Sequence, residues 1–210
     1  MSRYLGSSCK LCRRERKKLF LKGNKCYLNC IFEKKKGKNI PGQHSTVKFS
    51  KKISDYAIHL REKQKAKRIY GLTEEQFKHY YKIADKMKGS TGDNLLKMLE
   101  LRLDNVVFCL GFALSKKMAR QIVNHKNIFV NGKKINVPRY QVKIGDIITI
   151  SDKYKSNDVI KKLTNNEQKK IPTWLKFDKD KISGEVINEP ILSEISCIIN
   201  SQFIVEYYSK

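Results

Sequence analysis

The stretch that decides the fold is Arg102 to Ile150, RLDNVVFCLGFALSKKMARQIVNHKNIFVNGKKINVPRYQVKIGDIITI. It reads as two short helices, a hairpin and a closing strand. The first helix, LDNVVFCL, stops at Gly111, which tolerates the left-handed backbone of a helix end. Ser115 is placed to cap the second, SKKMARQIVNHK. Leu114, Met118, Ile122 and Val123 recur there at helical spacing as an apolar stripe. Lys116, Lys117, Arg120, Asn124 and Lys126 fall mostly outside that stripe. IFV and KKINV then flank Asn131-Gly132, a pair that accepts the positive φ angles of a type I′ turn. Pro138 ends the second strand, Gly145-Asp146 turns the chain, and IITI is a short apolar strand.

Charge sets the class of partner. The 210 residues carry a net charge of +25. Self-repulsion of that size opposes an isolated compact body and favours a polyanion, with nucleic acid leading. An anionic membrane surface competes, but there is no long basic amphipathic helix with a bulky apolar face. Nor is there a run of about eighteen apolar residues that would span a bilayer, so no membrane partner is expected. A hydrophobic fraction of 40% is enough for a core, and the length suits one large or two small domains. MSRYLGSSCK lacks the apolar centre of a signal peptide. A reducing compartment is therefore expected, without structural disulfides.

On the N-terminal side, residues 1–40 form a turn-rich basic arm. Cys9-x-x-Cys12 is followed by Cys26-x3-Cys30. Two close pairs of thiolates are what tetrahedral zinc needs, and one ion is expected at Cys9, Cys12, Cys26 and Cys30. The metal would supply free energy that so few apolar residues cannot. The competing readings are four reduced thiols on a flexible arm and a catalytic Cys-x-x-Cys, the latter without its usual strand and helix. Cys109 and Cys197 sit in apolar runs and read as small core residues.

Residues 41–52 form a loop in which His44 is either a phosphate or base contact or an ordinary exposed histidine. ISDYAIHLREKQKAKRIYG reads as a helix capped by Ser54 and stopped at Gly71. Its Arg61, Lys63, Lys65, Lys67 and Arg68 have few balancing acids nearby, which favours phosphate contact over a merely solvated face. Tyr56 and Tyr70 either stack on bases or pack. Thr73 and Gln76 make a capping box for a core helix ended by Gly89. Residues 90–93, STGD, read as a turn, and a domain boundary is expected there. After Ile150 a polar segment precedes strand-like alternation around Ser183-Gly184, with Trp174 as a packing anchor. SQFIVEYYSK is apolar enough to dock on the body, but too short to tell strand from helix.

Taken together, CKLCRRE, KLFLKG, PGQH, SDYAIHLREKQKAKRIYG, GDNLLKMLELRLDNVVFCLGFALSKKMARQIVNH, VNGKKINVPRY, GDIITI and QFIVEYYSK resemble the bacterial-type small-subunit ribosomal protein four (S-four) family nearly end to end. The resemblance implies an α+β fold: a mostly helical domain with an inserted small RNA-binding domain of two helices, a hairpin and a short sheet, beside the cysteine arm. The expected divisions are 1–40 arm, 41–93 helical domain with 196–210 packed on it, 94–155 inserted domain, and 156–195 connection and strand-like extension. It implies a structural constituent of the small subunit that binds the 5′ domain of its rRNA early in assembly. It further implies neighbouring ribosomal proteins three and five, a place near the channel where mRNA enters, and a bacterial cytoplasmic or organellar ribosome. The rRNA-binding set is then Lys10, Arg13, Arg14, His44, Arg61, Lys63, Lys65, Lys67, Arg68, Lys116, Lys117, Arg120, Asn124, Lys133, Lys134 and Arg139.

Two departures stand out. The family often has four residues between the last two cysteines, and here Tyr27, Leu28 and Asn29 are three. After PGQH the family often has Gly and a dense basic cluster, whereas here Ser45, Thr46 and Val47 precede Lys48, Lys51 and Lys52. An RNA-modifying enzyme or a lone RNA-binding factor is the alternative, because Arg102-Leu103-Asp104 resembles the triplet of pseudouridine synthases. Asn105-Val106-Val107 follows here, and no room remains for their catalytic domain. Asp104 reads instead as a helix-start or salt-bridging residue, and no enzyme is expected.

Overall fold

Hydroxyl caps start the helices where the sequence places them. In the computed structural model, which describes residues 4–34, 39–42, 54–155, 171–179, 181–195 and 199–209, Ser54 accepts from the Ala57 N–H and opens α3 (Asp55–Ile69). Thr73 opens α4 (Glu74–Lys86) with a full capping box shared with Gln76. Each cap satisfies N–H groups that the first helical turn leaves unpaired. His44, Cys197 and most of the polar segment after Ile150 lie outside the described residues.

The chain divides into two compact units, residues 1–92 with 198–210, and residues 93–197. In the first, the arm forms α1 (Ser8–Glu15), α2 (Lys25–Leu28) and a 3-10 turn (Ile31–Glu33). Leu11, Cys12, Leu19 and Leu21 make a small core, with Phe32 and Ile69 of α3 packed against it. The last helix, α10 (Ser201–Ser209), lies along α3 with Ile204 fully buried. The apolar terminal run is thus a helix, a choice made by packing rather than by its own periodicity.

STGD is not a turn. It supplies the first residues of α5 (Thr91–Glu100). A Cβ on Gly92 would meet the Ser201 Cβ at 2.9 Å, so this glycine serves a close approach rather than a bend. Helix α4 also stops before Gly89, at Met87, and Gly89 takes φ +101° in the link that follows.

In the second unit, α6 (Leu103–Cys109) and α7 (Lys116–Asn124) share a core with a five-stranded antiparallel sheet. The strands are β1 (Ile128–Val130), β2 (Lys133–Ile135), β3 (Ile147–Ile150), β4 (Leu175–Asp178) and β5 (Ser183–Val186), in the order β2-β1-β3-β5-β4. Asn131 and Gly132 turn the hairpin with φ of 50° and 75°, as a type I′ turn requires. Within the expected connection and strand-like extension, β4 and β5 are strands, and they belong to the sheet of the inserted unit, because β5 pairs directly with β3 (Ile148↔Gly184). A Cβ on Gly184 would sit 2.4 Å from Leu110 Cδ1, so the strand can lie this close only as glycine. Trp174 is buried in this core, while Cys109 is only partly buried and flanks it. The described residues of this unit also form the short helices α8 (Asp152–Lys155) and α9 (Leu192–Ile195).

Candidate nucleic-acid interface

Between Asn105 and Gly145 the sequence holds eight basic residues and no acidic one. The acids that bound this run are occupied internally. Asp104 receives Arg102 through Nε (3.0 Å) and Nη2 (2.7 Å) as a buried pair. Asp146 accepts from the Asn131 side chain and the Lys143 N–H, both at 2.8 Å, which ties the hairpin turn to the loop before β3. Within this run of sequence no carboxylate offsets the basic side chains.

Ser115 caps α7 by accepting from the Met118 N–H. Ile122 and Val123 are buried, with Met118 partly so. Lys117, Lys126, Lys133, Lys134, Arg139 and Lys143 are exposed, and Asn124 is half-buried. Lys116 lies with Nζ 5.8 Å from the Phe108 ring centroid, and Lys134 Nζ is 5.5 Å from that of Phe129. Lys126 and Lys143 are exposed cations of the same run that sequence reasoning left off the site. The signal was available, since both fall inside the acid-free stretch.

Arg120 requires correction. Expected on the basic side of the helix, it is 8% exposed. One residue past buried Ala119 and three before Val123, it flanks the apolar stripe and is buried with it.

The basic residues of α3 are placed differently again. Each is answered by an acid: Arg61 and Arg68 pair with Glu15, Lys63 and Lys67 with Glu74, and Lys65 with Glu62. Lys63 and Lys65 are each only 3% exposed. The expectation of few balancing acids is thus overturned, and the row is in large part an internal ion-pair network. Burial works against the charge on Glu74, but hydrogen bonds from Lys63, Lys67 and the Tyr208 hydroxyl outweigh it and hold the carboxyl down to about 2. For Glu15, burial outweighs Arg68 and Arg61, so its carboxyl is raised, and burial likewise lowers Arg68. Tyr70 is buried and Tyr56 leans on Tyr207, with ring centroids 5.7 Å apart.

In the arm, Lys10 and Arg14 are exposed, while Arg13 donates through Nε to the Asn39 carbonyl at 2.9 Å. Cys9, Cys12, Cys26 and Cys30 line one small cavity with Ser8, Leu21, Lys22 and Phe32. The Lys22 N–H donates to Cys26 Sγ at 3.3 Å, and a backbone bond from Leu19 reaches Cys12. Burial pushes the Cys12 thiol up, and the neighbouring thiols of Cys26, Cys9 and Cys30 add to it. Among the described residues, however, no three His, Cys, Asp or Glu side chains are arranged to hold a metal ion. Nor, among them, is any helix long and apolar enough to cross a membrane.

Comparison with known proteins covers the whole chain. A family model described as "Ribosomal protein S4/S9 N-terminal domain" matches residues 3–100, and one described as "S4 domain" matches 101–148. The chain is 68% identical over 210 residues to "Small ribosomal subunit protein uS4" of Endomicrobium trichonymphae, with both chains fully covered. Identity to the proteins of the same name from Magnetococcus marinus and Thermodesulfovibrio yellowstonii is 50% and 49%, again over all of each chain.

Proposed function

We propose, from the premise that this chain belongs to the small ribosomal subunit protein uS4 family, that it is a primary assembly protein holding the 5′ domain of small-subunit rRNA at a multi-helix junction. As a family member it is a structural protein of the small ribosomal subunit that binds rRNA, and its place is the ribosome. The finer reading puts it beside ribosomal proteins five and three, near the channel where mRNA enters, in a bacterial cytoplasm or a bacterial-type organelle. The sparse charge after PGQH makes the contribution of that loop to the channel electrostatically weak.

One observation carries the rRNA surface: the acid-free run over α7 and the hairpin, with six exposed cations. Neutralising phosphates releases condensed counterions, so affinity falls steeply with salt. Titration of the chain against a 5′-domain transcript at rising salt is expected to show that slope. Equal affinity for an unrelated domain of the same rRNA would overturn the placement.

No catalytic role belongs to this reading. Its relatives are structural ribosomal proteins, and Arg102-Leu103-Asp104 is engaged in a buried ion pair.

The same reading gives Cys9, Cys12, Cys26 and Cys30 one zinc ion. Support comes from four thiols lining one cavity, in the two close pairs that tetrahedral zinc takes. Against it stands their arrangement, in which no three such groups are set to hold an ion. Bound zinc would add folding free energy to the arm. Native mass spectrometry of freshly prepared protein is expected to find one zinc, and chelation to speed proteolysis within residues 1–40. Metal-free protein with unchanged proteolysis would remove the ion.

A further inference from the structure

Residues 16–30 of the arm, RKKLFLKGNKCYLNC, contain five basic residues and no acidic one. Two aromatic rings stack within this run. The centroids of Phe20 and Tyr27 are 5.1 Å apart and their planes 29° apart. Phe20 holds φ at +50°, a left-handed setting that bulky side chains avoid. Tyr27 remains 68% exposed although its ring is backed by Phe20. A ring that is both supported and open contributes little to a core, and its support lowers the rotamer entropy that a ligand would have to remove. Lys18 Nζ lies 5.9 Å from the Phe20 centroid and pairs with Glu33, while Lys17, Lys22 and Lys25 are exposed.

We infer that Phe20 and Tyr27 form a stacking platform for one unpaired base of the small-subunit rRNA, with Lys17, Lys22 and Lys25 on the adjoining phosphates. This rests on the rRNA-binding reading above and adds a base contact to it. Charge selects the occupant: an exposed aromatic ring in a purely cationic run suits a nucleotide, whose base offers a π-face and whose phosphates offer the counter-charge. A protein partner would have to bring acidic residues to the same rim.

The test titrates the full chain and its Tyr27→Ala, Tyr27→Phe and Leu28→Ala variants against transcribed small-subunit rRNA at several salt concentrations. Tyr27→Ala is expected to weaken binding about 5- to 160-fold, the range for removing one base stack. Its salt slope stays that of the unaltered chain, because every phosphate-neutralising lysine is still present. Tyr27→Phe keeps the affinity. So does Leu28→Ala, which alters the next residue, itself 86% exposed, and so separates loss of the ring from a disturbed turn. Ultraviolet crosslinking is expected to join Tyr27 to a single unpaired nucleotide. Undiminished binding by Tyr27→Ala overturns the platform. So does a Phe variant as weak as the Ala variant, or equal loss in Leu28→Ala. A Tyr27→Ala chain that binds rRNA normally yet fails to join assembling subunits would assign the ring to a protein partner instead. Failure of the unaltered chain to bind rRNA would remove the rRNA reading itself, and the platform with it.

Discussion

Helix α3 and the α7-hairpin segment are both rich in Lys and Arg, yet they use that charge in opposite ways. On α3, Glu15, Glu62 and Glu74 receive all five cations, and two of the lysines are buried. Over α7 and the hairpin no acid intervenes, and most of the cations face water. The first arrangement uses charge to hold one unit together. The second sets most of it at the surface. A count of basic residues does not separate the two; the position of the acids does.

The comparison breaks most visibly at Glu74. Glu74→Gln strands the buried Lys63 and is expected to cost about 2 kcal/mol, below the usual figure for a broken buried pair because Glu74 itself is 42% exposed. Urea unfolding followed by hydrogen exchange over α3 and α4 would measure it. The same carboxyl gives an acid signature. Its folded pKa lies near 2, below the ordinary 4.5, so its stabilisation is complete above that ordinary value and is lost as pH falls toward 2. Glu74→Gln is expected to lack that part of the acid loss.

Arg120→Ala comes next. The residue is buried, so its removal is expected to cost about 1–2 kcal/mol of stability. The buried Trp174, the only tryptophan in the chain, sits in the same unit and reports unfolding by fluorescence. Stability unchanged in Arg120→Ala would return the residue to the exposed cationic face.

The smallest effect on stability is expected from Lys133→Ala with Lys134→Ala, within about 0.5 kcal/mol. The double variant should instead flatten the salt dependence of rRNA binding, by about 0.7–0.9 in slope for each phosphate that is no longer neutralised. A large drop in melting temperature would place the hairpin lysines in the structural class of α3.

Local chemistry was legible in the sequence. Ser54, Thr73 with Gln76, Ser115 and Asn131-Gly132 each act within a few residues, and each is where its chemistry puts it. What escaped was non-local. Glu15 meets Arg68 across 53 positions, and β5 joins β3 through a glycine whose reason is Leu110. Gly92 looked like punctuation, because the side chain that excludes any Cβ belongs to Ser201. That the chain binds rRNA was legible from charge and resemblance. Which cations face outward was not, because burial at Arg120 and pairing on α3 are set by tertiary packing.

The first unit is also discontinuous in time. Its two segments, 1–92 and 198–210, are separated by the whole of the second unit. During synthesis at about 5–20 residues per second, α3 waits on the order of ten seconds for the residues that complete it. Until then Ile204 has not buried itself and Tyr208 has not reached Glu74. The order of manufacture therefore favours closing the inserted unit, with its acid-free face, before the helical unit that encloses it in sequence.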